Sequence, residues 1–180
     1  MIRTFAIAAS ASALLAASPA LLALEAHDDL EAELASGYAV EIEAEGVTAR
    51  AQMPCDAAVS NDEGVQSTVC FEGDVMYIFA SSTNVPVEHP SALTSDFDVA
   101  YAEIEKSRDT TSIEEFMVDG RRSLLAEGGP SGRFGVMRAI QLADDGVTYA
   151  IAFIAPDGGP ASESTQQEMR NFAASLEIVE

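Results

Sequence analysis

Tryptophan is absent from this chain, and histidine and cysteine each occur only twice. Without tryptophan, the aromatic platform on which sugar sites commonly stack their ligands is missing. With 30 acidic residues, paired carboxylates arise by chance and are no sign of glycosidase chemistry. Nucleophilic catalysis needs a base held beside the nucleophile. His27 lies near the expected mature N-terminus, and His89 stands between Glu88 and Pro90, with Ser91 close by. His89 is read as an exposed loop residue, and no Gly-x-Ser-x-Gly elbow accompanies it. Two thiols without nearby histidine do not make a zinc site. Asn61-Asp62-Glu63-Gly64 and Asp144-Asp145-Gly146 are turn sequences, too short for a calcium loop. No metal or cofactor is expected.

Basic residues are equally scarce. Nine Lys and Arg face 30 Asp and Glu, a formal net charge of −21. Such a field repels nucleic-acid phosphates and anionic lipid headgroups, which argues against both as partners. A solubility requirement or a saline habitat accounts for the acidity; a basic protein partner is the functional alternative. Four of the arginines, Arg121, Arg122, Arg133 and Arg138, crowd into one stretch. They are read first as surface pairs for surplus acids and second as a local anion or partner contact. Gly128-Gly129-Pro130-Ser131-Gly132-Arg133-Phe134-Gly135 has the composition of a phosphate loop. It leads into a strand rather than a helix, so it reads as a connection.

The N-terminus carries Arg3 and then an uncharged Ala/Leu/Ser run from Phe5 to Leu24, with small residues at Ser18, Ala20, Ala23 and Ala26. This is the pattern of a secretory signal peptide, residues 1–23, with cleavage between 20 and 26. A retained anchor is the rival, since about 20 apolar residues span a bilayer. No basic cluster follows the run, and no stable membrane insertion is expected after cleavage. An acidic lead-in, 24–37, would precede one globular domain, 38–180. In an exported protein the even cysteine count implies a structural disulfide, Cys55–Cys70.

Within the domain, Val40, Ile42 and Ala44 alternate with Glu41, Glu43 and Glu45, which predicts a strand with one wet face. A second strand runs over Val47–Met53. Asn61–Gly64 is turn-like, and Glu72-Gly73-Asp74 joins a hairpin of Thr68–Phe71 and Val75–Ala80. The segment from Phe97 through Tyr101 fits a strand or a helix. Ser112-Ile113-Glu114-Glu115 reads as a capping box opening a helix through Phe116, Met117 and Leu124. The apolar runs Phe134–Leu142 and Val147–Ile154 flank Asp144-Asp145-Gly146 and predict a central hairpin. A last helix starts at Ser162 or Ser164 and presents Met169, Phe172, Ala173 and Leu176 on one side.

This order resembles the PsbP-like superfamily of exported α/β sandwiches. The pieces that carry the resemblance are Met53-Pro54, Thr111 to Phe116, Ala150 to Pro156 and Asn171 to Ile178. The resemblance implies an α+β fold, an antiparallel sheet covered by two main helices, with members that mostly bind, stabilise or assemble other proteins. The expected function is therefore a non-catalytic extracytoplasmic binding or assembly module acting on another exported or membrane protein. Glu41, Glu43, Glu45, Arg121, Arg122 and Arg133 are its candidate contacts. A small hydrolase using carboxylates or His89 is one alternative. The other is a carrier holding a small apolar ligand among Phe116, Met117, Met137, Tyr149, Phe153 and Phe172.

Overall fold

Alternating glutamates keep one side of β1 (Tyr38–Ala44) wet and bury Ile42 on the other. Glu45 and Gly46, both at positive φ (54° and 72°), turn the chain into β2 (Val47–Met53), the geometry that matches strand twist in a tight hairpin. The computed structural model describes residues 37–179 apart from 63, 86–92, 108 and 130–132. The expected signal peptide, nearly all of the acidic lead-in, His27, His89 and Ser91 lie outside the described residues.

The chain continues through β3 (Ala58–Asp62), β4 (Val65–Glu72), β5 (Val75–Thr83), α1 (Phe97–Lys106), β6 (Thr110–Val118), β7 (Arg121–Gly128), β8 (Gly135–Ala143), β9 (Gly146–Ile154), α2 (Glu163–Ala174) and β10 (Glu177–Val179). Seven strands form one antiparallel sheet in the order β3-β4-β5-β9-β8-β7-β6, and β1-β2-β10 form a separate one. The expected single sheet covered by two helices is thus corrected to two sheets. The strand patterns at β1 and β2 are as expected, but period-2 alternation says nothing about which strand pairs with which.

Register assigns the faces of the large sheet. Tyr77, Phe79, Val136, Ile140, Ala150 and Ala152 point to a first face, where they pack with Ile42, Ala49 and Met53 of the small sheet and with Met169, Phe172 and Leu176 from α2. The Tyr77 and Phe172 rings meet edge to face at 5.2 Å. Leu124, Met137, Ala139, Tyr149 and Ile151 point to a second face, covered by Phe97, Ala100 and Ile104 of α1. The ambiguous Phe97 segment is a helix because Asp96 caps it, accepting from the amides of Asp98 (2.9 Å) and Val99 (3.1 Å). Ser162 caps α2 in the same way through the amide of Thr165.

The helix expected from Ser112 is also corrected: the segment is the β6–β7 hairpin. Asp119 and Gly120, at φ 50° and 76°, form the turn, and the supposed capping box falls in mid-strand. There the Glu115 carboxylate accepts from Arg122, its neighbour across the hairpin, instead of from a helix amide. Asn61 and Asp62 end β3 rather than forming the turn, which lies just beyond them.

Cys55 and Cys70 are bonded, with Cα atoms 5.9 Å apart. Cys55 lies just past β2 and Cys70 in β4, so the bond ties the small sheet to the large one. Replacing both with Ser is expected to lower unfolding free energy by about 3 kcal/mol, from closure of a loop of separation 15; an unchanged urea midpoint would refute the estimate. Burial pushes both core phenols above the ordinary value of 10.0. At Tyr77 the charges of Glu168 and Glu72 add to it, and at Tyr149 those of Glu103 and Asp96. Their contribution to stability is complete below pH 10 and is lost as pH rises toward the raised folded values. Two of the four tyrosines should therefore ionise only as the fold is lost in alkali, checked by phenolate absorbance alongside circular dichroism. Full ionisation of all four in the folded state would contradict it.

Candidate functional site

On the second face, α1 lies over the β6–β7 side and its approaches reach Tyr149, whose hydroxyl donates to the Thr94 carbonyl at 2.6 Å. The other end of that face is different. Phe71 of β4, Met76 of β5 and Phe153 of β9 stand directly opposite one another in one row across three strands. Phe71 is 58% exposed, and Met76 and Phe153 are half-buried. Val69 and Ile78, also half-buried, form the next row inward before the packed Ile151 and Met137. The result is a continuous apolar strip reaching solvent, with Phe71 its most exposed member.

Acid stands at the turn end of this strip. Asp74 is exposed in the β4–β5 turn, whereas Glu72, the residue after Phe71 in β4, leaves on the opposite face. Asp74 also holds the segment leaving β9: its carbonyl accepts from the Ala155 amide at 2.8 Å, and its carboxylate from the Gly159 amide at 3.4 Å. That brings the exposed Asp157 to the same end of the sheet. Arg133 reaches that end too, donating to the Ala155 carbonyl at 3.1 Å. Sequence reasoning passed over Phe71 because a single aromatic before a turn looks like an ordinary strand residue. Only the pairing of β4 with β5 and β9 shows that its neighbours are Met76 and Phe153.

The acidic strand expected as a partner contact lies on the outer side of the small sheet, away from this strip. Arg50 sits between Glu41 (3.0 Å) and Glu177 (3.1 Å) in one cross-strand row, so Glu41 is already paired. Glu43 is exposed, and the Glu45 carboxylate accepts from the Asn84 side chain at 3.1 Å. The arginines do not form one patch. Arg121 and Arg122 are adjacent in β7 and so leave it on opposite faces. Arg121 donates to the Leu142 carbonyl. Arg122 bonds Glu115 and Asp98, both at 2.7 Å, and lies 4.6 Å over the Phe97 ring; those hydrogen bonds hold it more firmly protonated than an ordinary arginine. Surface pairing with surplus acids therefore describes Arg122, whereas Arg121 and Arg133 serve backbone carbonyls. Arg138 is buried on the first face of the sheet.

The six positions considered for a carried ligand do not line one cavity. Phe116 and Phe172 lie on the first face, while Met117, Met137, Tyr149 and Phe153 lie on the second. Met137 and Tyr149 are packed core, and Met117 is 62% exposed at the edge strand. Among the described residues no group of His, Cys, Asp and Glu is arranged to hold a metal ion, and no helix is long and apolar enough to cross a membrane. Compared with known proteins, the chain matches no protein-family model and no curated protein.

Proposed function

We propose that this domain is a non-catalytic extracytoplasmic binding module that docks a basic, amphipathic segment of another exported or membrane protein on the Phe71–Met76–Phe153 strip. The exposure of Phe71 at the end of an apolar row carries the reading. Covering a side chain of this size is worth about 1.5–3 kcal/mol, and a contiguous apolar patch rimmed by polar residues is the usual mark of an interaction surface. The Asp74 and Asp157 carboxylates at that end, set in a chain of net charge −21, select a cationic partner and speed its approach. The disulfide fits an oxidising compartment outside the cytoplasm. The resemblance to the PsbP-like group, whose members bind and assemble other proteins, points the same way.

Phe71→Asp puts a charge at the exposed end of the strip, at a position where folding loses little, within about 0.5 kcal/mol for an exposed site. Crosslinked capture from extracytoplasmic and membrane extracts should yield one reproducible basic partner with the wild-type protein. That partner should be lost with Phe71→Asp and weakened by raised salt, and kept with Glu43→Gln on the outer side of the small sheet. Retention of the partner by Phe71→Asp, with loss in Glu43→Gln, would move the contact to the acidic strand.

A further inference from the structure

A strand at the edge of a sheet leaves a row of backbone N–H and C=O groups open to another strand, and proteins ordinarily blunt such edges. Among the described strands, β3 and β6 edge the large sheet, and β1 and β10 the small one. β3 has five residues and β10 three, so each offers few bonds. β6 is longer, but its ladder shifts between Thr110 and Ser112. Glu114 and Glu115 also leave it on opposite faces, so a strand laid beside it meets a carboxylate on both sides. β1 carries none of these guards. Its seven residues pair with β2 in unbroken register, include no proline or lysine, and put charge on one face only.

The turn decides which groups of β1 are open. Glu45 and Gly46, both at positive φ, are the central residues of a two-residue hairpin, so Ala44 and Val47 form the hydrogen-bonded pair that closes it. Bonded and non-bonded pairs alternate from there along the ladder. Ala39, Glu41 and Glu43 therefore turn their N–H and C=O groups away from β2. Among the described residues β1 makes no backbone bond except to β2. Glu41 and Glu43 are exposed on the outer face of that open row. Glu41 shares Arg50 with Glu177, and Glu43 faces Thr48, so the row keeps surplus negative charge. On the inner face Tyr38 is 55% exposed and Val40 half-buried. We propose that the free edge of β1 is a strand-addition site for an extended segment of another protein in which apolar residues alternate with Lys or Arg. Such a segment continues the small sheet through main-chain bonds to Ala39, Glu41 and Glu43. It sets basic side chains directly opposite the two glutamates and apolar ones against Tyr38 and Val40. A second copy of β1, or the acidic residues that precede it in this chain, would bring carboxylates against carboxylates. The site lies on the small sheet and does not depend on the Phe71 strip.

The test uses the purified ¹⁵N-labelled protein and a short, end-blocked peptide of alternating Val and Lys. Two companion peptides serve as controls. One is N-methylated at each Lys, which keeps the charge and removes the edge-facing donors; the other has Glu in place of Lys. Saturable binding of the Val–Lys peptide is expected, with slowed hydrogen exchange at the amides of Ala39, Glu41 and Glu43. Both companions should bind about tenfold or more weakly, since each loses several bonds or charge pairs. Glu43→Gln should weaken the Val–Lys peptide about two- to fivefold, the size of one cross-strand charge pair. Ala39→Pro, which removes an open donor and no bond to β2, should weaken it as well. Phe71→Asp should leave it unchanged, so failure of one surface does not carry the other with it. Equal binding of the N-methylated peptide would reduce the effect to charge attraction and overturn the site. Protection that falls outside β1 would overturn it too. So would β1 amides already slow before peptide is added, because the edge would then be occupied by the chain itself or by a second copy. The peptide comparison on the wild type decides this even if Ala39→Pro does not fold.

Discussion

Strands β8 and β9 carry apolar side chains on both of their faces, and nearly all of those side chains are buried. A sheet centred on such strands has to be covered twice. The rest of the architecture answers that demand. On one side, α2 lies over β8 and β9 while the β1–β2 hairpin covers β5, so helix and small sheet share one layer. On the other side, α1 alone is available among the described elements, and ten residues of helix do not reach across seven strands. The exposed strip at Phe71 is what that shortfall leaves. The exposed strip and the core thus have one origin, a two-sided sheet with unequal covers.

Much of this was readable in the chain because the relevant signals are local. Alternation in β1, the Asp144-Asp145 turn between two apolar runs, and the serine cap of α2 each specify their element within a few residues. The Ser112 segment was misread because Ser-x-x-Glu and the spacing of Ile113, Phe116 and Met117 fit a helix. The competing signal, Asp119-Gly120 between Met117-Val118 and Leu124-Leu125, settles the matter only once both strands find a sheet to join. Partnership between strands is not local at all. Nothing in the residues of β2 states that it pairs with β10, 127 positions away as Arg50 and Glu177 are. For the same reason the arginines looked like a cluster in sequence and are dispersed in space, and the row Phe71–Met76–Phe153 could not be assembled by reading along the chain.

The charge pattern also takes a different form in three dimensions. Excess acid remains on the surface, while the arginines are used where a cation has structural value. Arg50 bridges two glutamates across three strands, Arg122 ties α1 to the β6–β7 hairpin, and Arg170 neutralises the buried carboxylate of Glu127. Each bond works against the mutual repulsion of the acids around it.

The small sheet joins the beginning of the domain to its end, since β2 lies between β1 and β10. During synthesis the β1–β2 hairpin appears first, yet its second neighbour follows far later, 127 positions on from Arg50 to Glu177, with the helix packed beside it just before. The apolar side of the hairpin therefore has no complete cover until α2 and β10 have emerged. Folding of this layer is necessarily a late, long-range event, slow by the rule that distant contacts close slowly. Such a layer commits to its structure only once strands far apart in the chain have met.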